Sequence, residues 1–330
     1  MRYKHFRKAN VDVSAVTTGT WPLGCFGYGE ANEKDGIEAI HAMVANGVNC
    51  LDTAPDYGPM TSEIIVGKAL KGLDRSKILV STKGGAARTT LRATRTDVPY
   101  ARDGRYENIL YECEQSLRRL GTDYIDFYFV HWPDFDTPFS ETMEAMNTLK
   151  KQGKIRFVGL SNFQKDQILA CENVCKIDAI QPPFSMVVQR DKELMKWAVD
   201  KGIATFSYGS LGSGVLAGEF KTLPEFHPRD PRNNFYPFYK EPYFSKVLNV
   251  VKVLEEIGAE VGKPVVQVSV NWQTHNDFVS TALTGVRTAK EANELCGAFD
   301  WELTEEQIKR IDDAIAANID FDPYCINNNK

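Results

Sequence analysis

The sequence predicts an α/β fold, a (β/α)8 TIM barrel with an N-terminal β-hairpin and additional helices late in the chain. Eight strand-like segments are each followed by helix within 330 residues, which favours a closed barrel over an open sheet. Segment 125–131 is a run of strand-forming apolar residues without clean alternation, typical of a parallel strand buried on both faces. Three long connections, 84–105, 132–140 and 209–242, follow strands and would therefore lie on the C-terminal rim.

The chain begins with an alternating segment, residues 2–18, which predicts the hairpin, with its turn at Ala9 and Asn10. Glycines such as Gly47 and Gly202 mark the ends of helices. The predicted barrel strands are 14–18, 48–53, 78–83, 125–131, 155–161, 178–183, 203–208 and 280–285. The predicted helices are 35–46, 61–71, 106–120, 141–151, 165–175, 191–201, 243–261, 264–275, 288–297 and 304–316. No linker or repeat demands a second domain, so residues 1–330 are expected to form a single barrel domain.

Composition limits the class of function. With 43% hydrophobic residues the chain can bury a large core, and a net charge of −5 argues against a nucleic-acid-binding surface. No apolar run resembles a signal peptide or could span a bilayer. The seven cysteines are odd in number and scattered, which fits reduced thiols, and Cys171 and Cys175 lack further metal ligands nearby. We therefore expect a cytoplasmic protein, monomeric or a weak homo-oligomer, that acts on small molecules and not on nucleic acid or membranes, and that needs no metal.

Four ionisable groups follow the ends of neighbouring predicted strands. Asp52 and Tyr57 stand in LDTAPDYG, Lys83 in STKGG and His131 in VHWPD. Each alone has an ordinary explanation, such as a helix cap, a solvated lysine or a histidine that bonds the local backbone. Because the C-terminal ends of barrel strands meet at one rim, the four together predict an active site.

The chemistry that these groups favour is acid catalysis by a phenol. The pKa of a tyrosine is about 10, so proton donation near neutrality requires roughly 3–4 kcal/mol in favour of the phenolate. An ammonium about 4 Å away supplies about that much at an effective dielectric near 20, which suits Lys83 with Asp52 beside it. A neutral His131 would then orient the substrate oxygen. The remaining reactant is a hydride.

The motifs LDTAPDYG, STKGG, VHWPD, GLSNF at 159–163 and QPPF at 181–184 resemble the aldo-keto reductase superfamily, most closely its bacterial general-stress-type members. Their order and spacing agree across nearly the whole chain. The resemblance implies an NAD(P)H-dependent reductase of aldehydes or ketones in which Asp52, Tyr57, Lys83 and His131 are catalytic and Tyr57 is the general acid/base. Two alternatives stay open: a nicotinamide-nucleotide-sensing binding subunit with little turnover, and a barrel isomerase or lyase without nicotinamide. The filled catalytic positions and the lack of an added N-terminal segment weigh against the first.

The same resemblance implies a cofactor site along the second half of the rim. Ser161, Asn162 and Gln181 would hold the nicotinamide carboxamide, and Tyr208 would stack on the ring. Arg287 would meet a 2′-phosphate, which favours NADPH and leaves NADH possible. The other implied cofactor residues are Thr20, Trp21, Gly209, Ser210, Leu211, Gly212, Ser213, Gly285, Glu291 and Glu294. No GxGxxG follows the first strand, so a Rossmann site is disfavoured.

The substrate pocket is expected around Tyr57 and His131, with Trp21 and Trp132 as its apolar walls. Residues 219–242 are too aromatic for a linker and too rich in proline for a helix, so they are interpreted as a lid. The arginine-rich loop 88–105 is either solvated or a binding element for an anionic or polyhydroxylated substrate. The tail 321–330 has no assigned role.

Overall fold

The computed structural model describes residues 1–24, 32–58, 60–86, 102–228, 230 and 232–322. Eight parallel strands close into a barrel in which each strand pairs with the next one along the chain and the last pairs with the first, and a separate two-stranded antiparallel hairpin precedes them. The helices surround this barrel, so the predicted (β/α)8 fold with an N-terminal hairpin is confirmed. Within the described part of the chain, no helix is both long and apolar enough to cross a membrane.

The hairpin consists of β1 (Tyr3–Phe6) and β2 (Val11–Ser14). The barrel strands are β3 (Val16–Gly19), β4 (Cys50–Asp52), β5 (Leu79–Gly84), β6 (Ile125–Val130), β7 (Ile155–Ser161), β8 (Ala179–Gln181), β9 (Ala204–Ser207) and β10 (Thr281–Gly285). The α-helices are α1 (Glu33–Ala45), α2 (Thr61–Leu70), α3 (Tyr106–Leu120), α4 (Phe139–Lys151), α5 (Lys165–Glu172), α6 (Lys192–Asp200), α7 (Arg232–Phe235), α8 (Tyr243–Val261), α9 (Val265–His275), α10 (Ala289–Cys296) and α11 (Glu305–Asn318).

The predicted boundaries differ from these in instructive places. The strand predicted at 178–183 ends at Gln181, because Pro182 and Pro183 have no N–H to donate to a ladder. The first barrel strand begins at Val16, since the residues before it belong to the hairpin. The segment 219–242, predicted to lack helix, contains the four-residue α7 and a 3-10 turn that starts with a proline at its first position.

The hairpin covers the N-terminal end of the barrel. Phe6 on β1 packs edge-on against Phe127 and Phe206, with ring centroids 6.1 and 5.5 Å apart. All three side chains are buried within one apolar cluster that fills the barrel interior. This closure leaves the opposite, C-terminal rim as the end at which a ligand can enter.

The alternation of side chains along a strand determines what reaches that rim. Cys50, Leu79 and Phe127 point into the apolar interior. Since strand side chains repeat every second residue on the same face, the inward positions further along these strands are those of Asp52, Lys83 and His131. Along these three strands, apolar side chains therefore fill the barrel interior and ionisable side chains stand at the C-terminal rim, with His131 one residue beyond the end of β6.

Candidate active site

The centre of the site is an ion pair between neighbouring strands. Lys83 Nζ donates to Asp52 Oδ2 at 2.8 Å, and the two side chains are 0% and 1% exposed. Lys83 Nζ also donates to the Thr53 carbonyl at 2.9 Å. The other Asp52 oxygen, Oδ1, accepts from Ser81 Oγ at 2.7 Å and from Gln181 Nε2 at 3.0 Å. A buried pair needs such additional bonds to offset its desolvation, and here both carboxylate oxygens have donors.

Tyr57 lies beside this pair, in the turn between β4 and α2. The Lys83 ammonium is 4.8 Å from the centroid of the Tyr57 ring. The turn packs against the backbone at Gly24, and a Cβ at Gly58 would lie 1.5 Å from the Gly24 carbonyl oxygen. Gly58 also has φ +60°, so glycine is required there for both reasons. The position of Tyr57 thus depends on a close contact between two backbone segments.

The pKa of Tyr57 differs in direction from the sequence-based expectation. Burial raises this pKa well above its ordinary value, and the Asp52 and Asp56 carboxylates raise it further. The sequence instead predicts that the Lys83 ammonium lowers the pKa of Tyr57. In the free site, however, the Lys83 charge is already compensated by Asp52, and burial of the phenol outweighs what remains. Tyr57 therefore retains its proton at neutral pH.

His131 follows β6 and extends its register, with its N–H donating to the Gly84 carbonyl at 2.9 Å. Its ring lies edge-on to the Tyr57 ring at a centroid distance of 6.2 Å. Burial lowers the pKa of His131 well below its ordinary value, and the Lys83 charge lowers it further. The His131 imidazole is therefore neutral, as the sequence predicts.

The predicted nicotinamide residues meet at the ends of β7, β8 and β9. Ser161 Oγ donates to the Gln181 carbonyl at 3.0 Å, and the Tyr208 hydroxyl donates to Asn162 Oδ1 at 2.9 Å. Asn162 has φ +65°, and its amide nitrogen donates to the His131 carbonyl at 3.0 Å. The structure thus brings these four residues together beside the histidine.

These residues fit a carboxamide. The hydrogen bond of Gln181 to Asp52 uses its amide nitrogen, so the amide oxygen Oε1 can accept from an amide N–H. Asn162 Oδ1 accepts one bond and retains a second lone pair. Gln181 also reaches Asp52 through its nitrogen, and it therefore joins the predicted cofactor site to the ion pair.

The glycine-rich loop after β9 has a backbone suited to an anion. Gly209, Gly212, Ser213 and Gly214 have φ values of +72°, +53°, +54° and +103°. Leu211 has φ −103° and ψ 18° and directly precedes the left-handed residues 212–214. A right-handed residue followed by left-handed ones turns successive N–H groups towards one concavity, which can bind an anion. Ser210 is buried, and its hydroxyl donates to the Ser207 carbonyl at 3.1 Å, which anchors the loop to β9.

The predicted adenosine end is exposed. Arg287 donates to Glu291 through its backbone N–H at 2.7 Å and through Nη2 at 3.1 Å. Glu294 is also exposed on α10. At Gly285 a Cβ would lie 2.7 Å from Pro22 Cγ, so the chains approach closely there. Thr20 is fully buried, and its hydroxyl donates to the Asp52 carbonyl at 2.8 Å.

Aromatic rings surround the Tyr57 and His131 side chains. Trp21 lies 6.2 Å from the Tyr57 ring, and Trp132 lies 6.3 Å from the His131 ring. Tyr236, which the sequence suggested only as part of a lid, lies 6.3 Å from Trp21. The segment that carries Tyr236 therefore packs against Trp21, one of the predicted walls of the substrate pocket.

Sequence reasoning missed several residues of this site. Ser81 lies two residues before Lys83 on the same inward face, so strand periodicity could have indicated it. Asp56 precedes Tyr57, and its Oδ1 lies 3.5 Å from His131 Nδ1, which no local pattern indicates. Most of the arginine-rich loop, residues 87–101, and the tail 323–330 lie outside the described residues. Arg102, at the end of that loop, lies over the Trp132 ring at 5.1 Å.

Several known proteins resemble this chain over nearly its whole length. The Aldo/keto reductase family model matches residues 15–316. The aldo-keto reductase YhdN of Bacillus subtilis is 35% identical over 98% of this chain and 96% of the relative. The NADH-specific methylglyoxal reductase of Escherichia coli is 30% identical over 90% of this chain and 93% of that enzyme. The glycerol dehydrogenase AKR11B4 from Gluconobacter oxydans superposes with a TM-score of 0.84 at 33% identity over 95% of both chains.

Proposed function

Because this chain belongs to the aldo/keto reductase family and is an NAD(P)H-dependent oxidoreductase of carbonyl compounds, we propose that it uses NADPH to reduce an aldehyde or ketone reversibly to an alcohol. The observation that carries the proposal is the hydrogen-bonded connection at one rim. Asp52 bonds Lys83, Lys83 lies beside Tyr57, and Gln181 joins Asp52 to the residues that fit a carboxamide.

In this proposal each residue has a defined part in the reaction. A bound nicotinamide supplies the hydride. Tyr57, protonated at neutral pH, donates its phenolic proton to the carbonyl oxygen, and neutral His131 donates a hydrogen bond to the same oxygen. Lys83, held charged by Asp52, stabilises the phenolate that forms. Trp21 and Trp132 exclude water from the reacting carbon.

NADPH is proposed because the guanidinium of Arg287, with a side chain 52% exposed, is open to a phosphate. The exposed Glu291 carboxylate beside it opposes a 2′-phosphate and can accept from a ribose hydroxyl, so NADH is the rival cofactor. One relative is named as NADH-specific. The preference thus depends on which of these two charges dominates.

The test combines cofactor binding with turnover. NADPH and NADH are titrated by quenching of tryptophan fluorescence, and carbonyl-dependent NADPH oxidation is followed with small aldehydes, sugars and steroids. Tyr57→Phe should lower kcat by roughly 10²–10⁴-fold, since it removes the general acid, and should leave the Kd for NADPH nearly unchanged.

Two results would refute the proposal. Unchanged turnover in Tyr57→Phe would exclude Tyr57 as the acid. Failure of the wild-type protein to bind either nucleotide would show that the carboxamide site is not formed. Tighter binding of NADH than of NADPH would assign the cofactor to the rival and leave the reductase chemistry standing.

A further inference from the structure

Asp56 is a buried carboxyl group in the pocket that the proposed mechanism does not use. Its side chain is 15% exposed, and Oδ1 is 3.5 Å from His131 Nδ1. Among the described residues this oxygen has no hydrogen-bond partner, although it is buried. An unpartnered buried carboxylate is costly, and catalytic hydrogen bonds are often long in free enzymes. The geometry therefore points to a bond between Asp56 and His131 that is not yet fully formed.

Burial and the charged groups around Asp56 bring the pKa of its carboxyl group close to neutral pH. Burial raises the pKa of Asp56 to about 7, and Glu63 on α2 and Asp52 on β4 act in the same direction. The Lys83 ammonium on β5 and the backbone N–H of Asp56 oppose them. Tyr57 adjoins it in the turn, and Glu112 on α3 interacts with it at longer range.

The state of Asp56 determines which nitrogen of a neutral His131 carries the proton. A protonated carboxyl donates its O–H to Nδ1, and the imidazole proton then resides on Nε2. An ionised carboxylate instead accepts from an Nδ1–H, which leaves Nε2 as a bare acceptor. Because Nδ1 faces Asp56, Nε2 is the nitrogen available to a substrate oxygen. A carbonyl oxygen requires a donor there.

We propose that Asp56 is a positioning residue that selects the tautomer of His131, with Nε2–H presented to the carbonyl while Asp56 is protonated. The inference rests on the proposed reductase function. It adds no chemical step, because the substrate proton still comes from Tyr57 and Asp56 exchanges its proton with water. Its consequence is that reduction weakens as Asp56 ionises.

The first readout is the pH profile of kcat/KM for carbonyl reduction, which reports groups of the free enzyme. In the wild type it should fall by up to about tenfold per pH unit above pH about 7, the pKa of Asp56. Asp56→Asn should abolish this decline, because an amide bonds Nδ1 without titrating. Asp56→Asn should retain the wild-type activity at pH 6 within a few-fold, because the amide N–H replaces the carboxyl O–H as the donor to Nδ1.

Glu112→Gln is the matched control. Burial also raises the pKa of Glu112, to about 8, but this carboxyl lies on α3 and bonds the Gly85 N–H, outside the pocket. The control should keep a decline as steep as that of the wild type, with at most a small shift of its midpoint from the long-range interaction with Asp56. If Asp56→Asn lowers kcat/KM by one constant factor at every pH, Asp56 has only a structural role and the proposal is wrong.

The second readout is the imidazole ¹⁵N spectrum of the free protein at pH 6 and pH 8.5. His131→Asn identifies the relevant signals among the five histidines. The protonated nitrogen should change from Nε2 to Nδ1 between these pH values in the wild type and remain unchanged in Asp56→Asn. A constant wild-type tautomer would overturn the inference. Since no cofactor or substrate is present, this result is independent of whether the protein reduces carbonyls, so the two proposals can fail separately.

Discussion

Asp52 and Lys83 are 1% and 0% exposed on β4 and β5, whereas Arg287 and Glu291, beyond β10, are 52% and 38% exposed. The first pair has further donors and acceptors on both partners, and the second stands in solvent. The difference matches the two roles proposed for these pairs. An acid/base site needs a fixed, water-poor environment, while a site for an exchangeable nucleotide must be open. It also predicts that charge removal will have very different consequences at the two places.

The largest contrast is expected between Lys83→Met and Arg287→Met. Lys83→Met leaves Asp52 as an uncompensated buried charge, which should lower the free energy of unfolding by ~3–5 kcal/mol at pH 7. Arg287→Met breaks an exposed pair and should cost less than about 1 kcal/mol. Urea denaturation of both variants measures the difference.

The double variant Asp52→Asn/Lys83→Met tests the stated cause. With both charges removed, most of the loss should be recovered, because no unpaired charge remains. If Lys83→Met and Arg287→Met lowered the free energy of unfolding equally, burial would not distinguish the two ion pairs.

The next effect concerns the pH dependence of stability on the buried side of the rim. The pKa of Glu112 is about 8 in the folded protein because burial disfavours its charged form. The folded state therefore holds a proton that the unfolded state releases at a lower pH. This contribution to stability is complete below the unfolded pKa of ~4.5 and is lost as pH rises through about 8, by at most ~1.4 kcal/mol per unit.

Glu112→Gln should flatten this decline between pH 6 and pH 9, as measured by urea denaturation at each pH. Glu107→Gln is the matched control, since Glu107 lies exposed on the same helix, and it should keep the wild-type slope. An unchanged slope in Glu112→Gln would mean that another group causes the pH dependence.

The smallest effect is expected at the exposed Arg287–Glu291 pair, where we propose that the adenosine end of the cofactor binds. Glu291→Gln removes a carboxylate whose Oε1 lies 3.1 Å from Arg287 Nη2. Two charges ~4 Å apart in water interact by about 1 kcal/mol, so the ratio of NADPH to NADH affinity should rise roughly fivefold at low salt. Glu305→Gln, an exposed carboxylate on α11, should leave the ratio unchanged. A rise that persists at high salt would contradict this electrostatic cause.

Much of the fold and part of the site followed from the sequence. Helix α3 and strand β7 have the predicted bounds, because their apolar periodicity and flanking residues are local signals. Asp52, Lys83 and His131 could be placed at one rim because barrel strands run parallel and deliver their ends together. Shorter elements such as α7 were missed, since four residues carry too little periodicity.

The properties that depend on distance between remote segments required the tertiary structure. The Gln181 amide bonds Asp52 across 129 residues of sequence, and Asp56 lies against His131 from another strand end. The raised pKa of Tyr57 likewise depends on burial together with two carboxylates, which no linear spacing measures. The residue types at the strand ends could be read from the sequence alone, since that information is periodic and local. Only the folded barrel decided which of them touch and which are buried, because desolvation and Coulomb interactions depend on positions in space.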